Sequence, residues 1–243
     1  MQSIKAHNLE KSFGAVKAVQ NYSVEIKQGD VVALVGDNGA GKSTVVKMLS
    51  GLYKPDAGEI LVNDQLVTLK SAIDARKAGI ETVLQDLALV PQRPVYLNLF
   101  LGREATKSAI QLLDHKLMCR EAEKLFLELG VNIPSVKLPI GSLSGGQRQA
   151  VAIARAARWS QSLVIMDEPT AALGIAETAK VEELIKNLSL RGTAIFLVSH
   201  NLDQVFRLSS RISILRRGEH VGEYETSHVS KNDIVSKITG SSD

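Results

Sequence analysis

Cysteine is almost absent from this chain of 243 residues, which contains a single one, Cys119. One cysteine excludes a disulfide within the chain and is typical of a protein in a reducing compartment. Because Cys119 follows Met118 in a stretch with helical periodicity, we interpret it as a half-buried structural thiol rather than a nucleophile. Aromatic residues make up only 4% of the chain, so the core must consist mainly of Val, Ile, Leu and Ala.

Long apolar runs and a large excess of either charge are also missing. No uninterrupted apolar stretch is long enough to span a membrane, and residues 1–14 contain no apolar segment typical of a secretory signal. The net charge of +3 is too small to argue for nucleic acid, so we expect no nucleic-acid partner. We therefore expect a chain that is soluble by itself.

Short apolar runs alternate with helical patterns along much of the chain. Three runs are apolar without interruption, Val31–Val35, Leu163–Met166 and Ala194–Val198. Such runs are typical of parallel strands that are covered on both faces. A helical pattern from Val181 to Leu188 follows the second run. This alternation predicts an α/β fold.

Other strand signals are of the antiparallel kind. The segments near Ile4 and Val24 and at 58–64 resemble short antiparallel strands closed by turns, which predicts an N-terminal antiparallel β subdomain. The sequence RRGEHVGEYE at 216–225 resembles a final hairpin.

Strand signals fade in the middle of the chain. Apolar residues between Met118 and Leu129 lie on one helical face, and the pattern ends at Gly130. We therefore predict an inserted helical subdomain over 86–159, with the α/β core formed by 1–85 and 160–243.

The stretch GDNGAGKS, from Gly36 to Ser43, matches the phosphate-binding pattern G-x-x-x-x-G-K-[ST]. The strand before it leads into a turn whose glycines allow the backbone to approach a phosphate, and the following helix presents its N-terminus to the anion. Lys42 can reach the terminal phosphates and Ser43 can ligate Mg²⁺. A Gly-rich turn without function is the alternative, but the flanking strand and helix favour nucleotide binding. The residues predicted to contact nucleotide here are Gly36, Asp37, Asn38, Gly39, Ala40, Gly41, Lys42, Ser43 and Thr44.

A pair of carboxylates follows a second apolar run, in LVIMDEPT. Asp167 ends the predicted strand and is expected to hold Mg²⁺, and Glu168 is expected to orient or deprotonate a water that attacks the γ-phosphate. Alternatively, the pair precedes a helix that starts at Pro169 and is capped by Thr170. The phosphate loop elsewhere in the chain favours the catalytic interpretation.

LSGGQ, from Leu143 to Gln147, is followed by a helical pattern and creates a second helix N-terminus rich in donors. Together with the two motifs above, it resembles the signature of ABC-transporter ATPase subunits, and the resemblance covers nearly the whole chain. It implies a P-loop NTPase core with a RecA-like parallel sheet, and ATP and Mg²⁺ as cofactors. It also implies a head-to-tail dimer in which the signature of one subunit faces the γ-phosphate held by the other. The signature residues assigned to that contact are Ser144, Gly145, Gly146 and Gln147.

The resemblance assigns further roles to single positions. Phe13 resembles the aromatic residue that stacks on adenine, and Ala18 lines the same pocket. Gln85 resembles the glutamine that contacts Mg²⁺ and water and relays signals to the membrane partner. His200 resembles the histidine that contacts the γ-phosphate and positions the water. The alternatives are a strand-end core residue for Phe13, a polar loop residue for Gln85 and a surface histidine for His200.

One position departs from the family pattern. The chain has Gly174 after Ala171, Ala172 and Leu173, where the family usually has an aspartate that crosses the dimer interface. The sequence therefore leaves open whether two ATP sites are coupled. Some sugar-importer subunits also have glycine in place of this aspartate.

NLFLGRE, from Asn98 to Glu104, resembles the ATPase subunits of bacterial monosaccharide importers of the ribose, galactose and fructose type. The resemblance implies an ATP-hydrolysing subunit that drives transmembrane permease subunits at the cytoplasmic face of the membrane, with a sugar-binding protein as an indirect partner. Because this chain carries one ATPase half, a homodimer is expected. The alternatives are an exporter ATPase, a soluble ABC ATPase outside transport, and a partner subunit without useful turnover.

Overall fold

The computed structural model describes residues 3–107 and 112–241. Two compact units are present, the first formed by residues up to 82, 160–168 and those from 189 onward, and the second by 83–159 and 169–188. The predicted inserted subdomain, 86–159, falls within the second unit. The segment 169–188, which the sequence assigned to the core, groups with this helical unit instead, and the predicted domain division stays a prediction.

The secondary structure alternates between strands and helices as the sequence predicts. The strands are β1 (Ser3–Phe13), β2 (Val16–Lys27), β3 (Val31–Val35), β4 (Ala57–Val62), β5 (Gln65–Val67), β6 (Ile80–Val83), β7 (Leu163–Asp167), β8 (Ile195–Val198), β9 (Arg211–Arg216) and β10 (Glu219–Glu225). The helices are α1 (Lys42–Leu49), α2 (Ala72–Lys77), α3 (Val95–Leu99), α4 (His115–Leu129), α5 (Gly145–Trp159), α6 (Ile175–Leu190), α7 (Leu202–Leu208) and α8 (Lys231–Thr239), with 3-10 turns at Ile140–Ser142 and Thr226–His228.

The described strands form one sheet in the order β5-β4-β1-β2-β10-β9-β3-β8-β7-β6. Strand β3 is parallel to both β8 and β9, and β7 is parallel to β8. The N-terminal strands β1, β2, β4 and β5 pair in antiparallel fashion, as does the hairpin β9–β10. The α/β fold with a parallel core and an antiparallel N-terminal part is therefore confirmed.

The first two strands are longer than the short segments that the sequence predicts. Strand β1 has 11 residues and β2 has 12. Asn8 and Asn21 lie inside them in the left-handed region, with φ values of 49° and 48°, and the β1–β2 register shifts repeatedly between Ala6 and Ser12. Such irregularities let a strand continue through polar residues that otherwise indicate a break.

The burial of strand β3 on both faces explains why its sequence is apolar without interruption. All five of its residues are buried. Val32 and Leu34 pack into one hydrophobic cluster, and Ala33 and Val35 pack into another, on opposite faces of the strand. A strand that is covered on both faces has no polar face to display.

In the helical unit, α4 confirms the predicted helix and its end. Asp114 caps its start by accepting a hydrogen bond from the backbone N–H of Leu117 at 3.0 Å, and Gly130 ends it with φ 68°. Its buried face consists of Met118, Ala122, Phe126 and Leu129. Cys119 is half-buried, as predicted, and burial raises the pKa of its thiol.

The segment before α4 is organised by Asn98, which is fully buried. Its Oδ1 accepts from the backbone N–H of Val90 at 2.7 Å, and its Nδ2 lies 3.1 Å from the carbonyl oxygens of Val90, Arg93 and Pro94. The asparagine of NLFLGRE therefore has a structural task, because it fixes the backbone at 90–94.

None of the helices in the two described ranges combines the length and the hydropathy that crossing a membrane requires.

Candidate nucleotide-binding and catalytic site

The loop between β3 and α1 requires glycine where other backbone approaches it. Gly41 has φ 107°, and a Cβ there would lie 2.3 Å from the carbonyl oxygen of Ala18. A Cβ on Gly36 would lie 2.1 Å from the carbonyl oxygen of Leu215. Gly41 is also the N-cap of α1, and no side chain in the described ranges caps this helix. The N-terminus of α1, which opens from this loop without a side-chain cap, fits a phosphate-binding turn.

Lys42 folds back over this loop. Its Nζ donates to the carbonyl oxygens of Gly36 at 2.6 Å and Asp37 at 2.9 Å. Burial lowers the pKa of the Lys42 ammonium, while the negative charges of Glu168, Asp37 and Asp167 act in the opposite direction. A cation is therefore held at the loop, within electrostatic reach of the carboxylates at the end of β7.

Asp167 is the last residue of β7 and is half-buried. Burial raises its pKa, and so does the neighbouring Glu168, whereas Lys42 and Lys47 lower it. Ser43 is exposed in the first turn of α1.

The donor set bears on the predicted Mg²⁺ site. Within the described ranges, no group of three His, Cys, Asp or Glu side chains could hold a metal ion. Mg²⁺ commonly takes one or two protein oxygens and completes its shell with phosphate oxygens and water. The hydroxyl of Ser43 and the carboxylate of Asp167 fit a site of that kind.

Glu168 and His200 are brought into direct contact. Oε1 of Glu168 accepts from the backbone N–H of His200 at 3.0 Å and lies 2.8 Å from its Nδ1. The backbone N–H of Glu168 in turn donates to the carbonyl oxygen of Val198, the last residue of β8, at 2.9 Å. The Glu168 side chain is 19% exposed and that of His200 is 69% exposed. His200, just after β8, thus holds one oxygen of the Glu168 carboxylate, and the end of β8 fixes the Glu168 backbone.

The alternative interpretation of the carboxylate pair is wrong. Pro169 and Thr170 lie in a turn, and α6 begins only at Ile175. Glu168 has φ 51° in the left-handed region, which interrupts the regular backbone directly after β7. Asp167 and Glu168 therefore do not stand at a helix N-terminus.

The two residues assigned to the base pocket lie on the β1–β2 hairpin. Phe13 ends β1, is 45% exposed and meets Tyr53 with ring centroids 5.3 Å apart. The carbonyl of Ala18 packs against Gly41, which brings Ala18 to the phosphate loop. Sequence reasoning missed Tyr53 and Lys47, whose Nζ lies 5.2 Å from the Tyr53 ring centroid. The signal available was an aromatic residue shortly after α1 in a chain with few aromatics.

The signature motif opens α5 as predicted. The backbone N–H of Gln147 donates to Oγ of Ser144 at 3.3 Å, and the backbone N–H of Ser144 donates to Oε1 of Gln147 at 3.0 Å. This reciprocal pair is a capping box. Gly146 donates its backbone N–H to Oε1 of Glu177 at 3.1 Å. Sequence reasoning missed Glu177, and no motif on the chain indicates it.

Gln85 is exposed in the loop that follows β6. The guanidinium of Arg155, on α5, donates to the carbonyl oxygens of Leu87 and Ala88, each at 2.9 Å. The loop is therefore tied to the signature helix. Gln85 and the signature belong to the helical unit, whereas the phosphate loop, the carboxylate pair and His200 belong to the first unit.

Comparison with known proteins defines the family. Residues 19–171 match the family described as ABC transporter. The chain is 44% identical to the xylose/arabinose import ATP-binding protein XylG of Sulfolobus acidocaldarius, over 97% of this chain and 93% of that protein. It is 42% identical to the fructose import ATP-binding protein FrcA of Rhizobium meliloti, over 98% and 94%.

A solved dimeric ATP-binding cassette, in a post-hydrolysis state with ADP and Pi, is 25% identical with a TM-score of 0.75, over 92% of this chain and 98% of that one. The chain belongs to the ABC transporter family. Its fold is that of the family's ATP-binding cassettes, which are ATPases, and the resemblance predicted from the motifs is confirmed.

Proposed function

We propose that this chain is the ATP-hydrolysing subunit of an ABC importer for a monosaccharide. The observation that carries the proposal is the meeting of three functional groups at one sheet edge. Lys42 follows β3, Glu168 follows β7 and His200 follows β8, and these three strands are neighbours in the sheet. The carboxyl edge of such a sheet is where α/β proteins bind their ligands.

The side chains at this edge would have different roles in ATP hydrolysis. Lys42 and the backbone N–H groups of its loop bind the β- and γ-phosphates. One carboxylate oxygen of Glu168 is held by His200, and the other can orient the attacking water and accept its proton. Mg²⁺ held by Ser43 and Asp167 would neutralise charge on the phosphates.

The direction of transport and the substrate class rest on the relatives and on one segment. The two relatives named above are import ATP-binding proteins for xylose or arabinose and for fructose. NLFLGRE favours the same group of importers. We therefore propose transmembrane permease subunits as partners, a sugar-binding protein as an indirect partner, and a position at the cytoplasmic face of the membrane.

A second copy of the chain is proposed as the partner in hydrolysis. Ser144, Gly145, Gly146 and Gln147 would face the γ-phosphate bound by that copy. The similar cassette named above is itself dimeric, which supports a paired arrangement. Phe13 and Ala18 would hold the base, and Gln85 would connect the site to the permease.

Gly174 bears on the coupling between two such sites. A Cβ at Gly174 would meet no atom of the described residues within 4 Å, and its φ lies outside the left-handed region. Folding of the single chain therefore does not require glycine here. We propose that the glycine is a trait of the subgroup and leaves hydrolysis intact.

The carboxylate of Glu168 provides the first test. Glu168→Gln should reduce steady-state phosphate release by about 10²- to 10⁴-fold, because the general base is lost. The variant should still bind ATP and accumulate as an ATP-bound dimer in analytical ultracentrifugation. Glu183→Gln, an exposed carboxylate on α6, is the matched control and should behave as the wild type. A Glu168→Gln protein that stays monomeric with ATP yet hydrolyses it normally would refute the proposal.

Coupling to transport needs a second experiment. The chain should co-purify from membranes with its permease, and in vesicles its ATPase rate should rise when a sugar-loaded binding protein is added. Stimulation by a substrate presented from the cytoplasmic side would instead identify an exporter. Salt-sensitive binding to nucleic acid would indicate an ABC ATPase outside transport. Absence of phosphate release from the wild-type assembly would indicate a partner subunit without turnover.

A further inference from the structure

A carboxylate of the same chain stands at the start of the signature helix. Glu177 lies in the first turn of α6, and its Oε1 accepts the backbone N–H of Gly146 at 3.1 Å. The hydrogen bond from Gly146, followed by the influence of the Ser144 side chain, holds the pKa of Glu177 below its ordinary value.

The fit between Glu177 and the signature glycines is close. A Cβ on Gly146 would lie 2.8 Å from Cβ of Glu177 and 3.0 Å from its Cγ. A Cβ on Gly145 would lie 3.7 Å from Oε2 of the same carboxylate. Gly146 thus has to be glycine for α6 to present Glu177 at this distance, quite apart from any contact with a nucleotide.

The Gly146 N–H that Glu177 accepts is among the donors needed for ATP in the proposed dimer. Ser144 and Gly146 belong to the signature that would face the γ-phosphate of a second copy. A helix N-terminus stabilises one anion at its first turn, and a donor that is bonded to a carboxylate is not free for a phosphate oxygen. The two anions therefore compete for one donor set.

We propose that Glu177 is an internal competitor of the γ-phosphate: it occupies the Gly146 donor of the signature in the single chain and gives it up when the nucleotide of a second copy arrives. Glu177 is then a positioning residue that sets how much ATP dimerisation requires, without touching the reacting atoms. This inference rests on the proposed function.

The competition predicts a specific separation of kinetic constants. Replacing the carboxylate by an amide keeps the shape and a neutral acceptor but removes the charge, and charge-assisted hydrogen bonds are roughly twice as strong as neutral ones. Glu177→Gln should therefore lower the ATP concentration for half-maximal ATPase activity by about three- to tenfold. The kcat should stay within about twofold, because Glu177 contacts no group that reacts.

Dimerisation gives a readout that is independent of hydrolysis. In a Glu168→Gln background, sedimentation velocity across a series of ATP concentrations with Mg²⁺ measures the midpoint of dimer formation. Adding Glu177→Gln should move this midpoint to lower ATP, and Glu177→Ala should move it in the same direction. The matched control is Glu183→Gln, an exposed carboxylate on the same helix, which should leave the midpoint unchanged.

The outcomes separate this inference from the proposed function. If Glu168→Gln alone never dimerises with ATP, the proposed function itself fails. If it dimerises but the Glu177 variants leave the midpoint unchanged or raise it, Glu177 is a structural cap of α5 and the inference is overturned. Unfolding of both Glu177 variants in circular dichroism would also overturn it, because the carboxylate would then be required for folding.

Discussion

A comparison of two glycines in the phosphate loop tests why the loop needs them. Gly39 and Gly41 both have positive φ, 80° and 107°, but their surroundings differ. A Cβ on Gly39 would meet no atom of the described residues within 4 Å, whereas a Cβ on Gly41 would lie 2.3 Å from the carbonyl oxygen of Ala18 and 3.0 Å from Cδ2 of Leu215. Gly39→Ala should therefore introduce backbone strain alone. Gly41→Ala should introduce backbone strain and also a steric clash with Ala18 and Leu215.

The magnitudes follow from these two terms. Holding an L-residue at positive φ costs roughly 1–2 kcal/mol, which is the expected loss for Gly39→Ala. The clash at Gly41 is with the backbone of β2, so relieving it needs a backbone shift and costs about another 1–3 kcal/mol. Gly41→Ala should therefore lower the free energy of unfolding by about 2–5 kcal/mol in total.

The assay is urea unfolding of the nucleotide-free protein, followed by far-UV circular dichroism. Nucleotide is left out because both substitutions also affect its binding, and bound ligand would change the apparent stability. A Gly41→Ala protein as stable as Gly39→Ala would show that the contact with Ala18 is not rigid and would refute the reasoning.

Three further predictions concern other parts of the chain. Asn98→Ala should lower the free energy of unfolding by about 1–3 kcal/mol in urea titration, because the part-buried N–H of Val90 loses its acceptor and the nearby carbonyls, which keep their backbone donors, lose the Asn98 amide. Asp56 has its pKa lowered by Lys11, which lies 2.7 Å away, so its stabilising contribution is present above its ordinary pKa and is lost as pH falls through the lower folded value. Asp56→Asn should therefore lose less stability than the wild type between about pH 5 and pH 2. Gly174→Asp should leave the melting temperature unchanged, since the added side chain meets free space; a marked drop would show that this segment needs glycine to fold.

Local patterns were enough to predict much of the fold. The apolar run Val31–Val35 has the same limits as β3, and the helix from His115 ends at Gly130 as its sequence indicates. A hairpin is present as β9 and β10, but its first strand, Arg211–Arg216, lies almost entirely before the predicted segment 216–225. These features depend on neighbours in sequence, through the alternation of strand faces, the spacing of helical faces and the capping residues, so the sequence shows them directly.

The candidate site was predicted in its parts rather than in its contacts. The motifs placed Lys42, Glu168 and His200 after strands, and the structure brings Glu168 and His200 within hydrogen-bonding distance. Neither the positive φ of Glu168 nor the contact between Phe13 and Tyr53 is indicated by the sequence motifs or by the periodicity of apolar residues.

Only the tertiary structure showed the contacts between residues that lie far apart in the chain. Gly41 meets Ala18, Gly36 meets Leu215, and Glu177 accepts from Gly146. In each contact at least one partner is a backbone group, which every residue carries. The type of side chain at that position therefore does not predict the contact. The sequence by itself determined which segments become strands, helices and a phosphate loop, because those depend on local periodicity and glycine spacing. Which backbone oxygen or carboxylate stands against which glycine depends on how the sheet and helices pack, and that became known only from the folded chain.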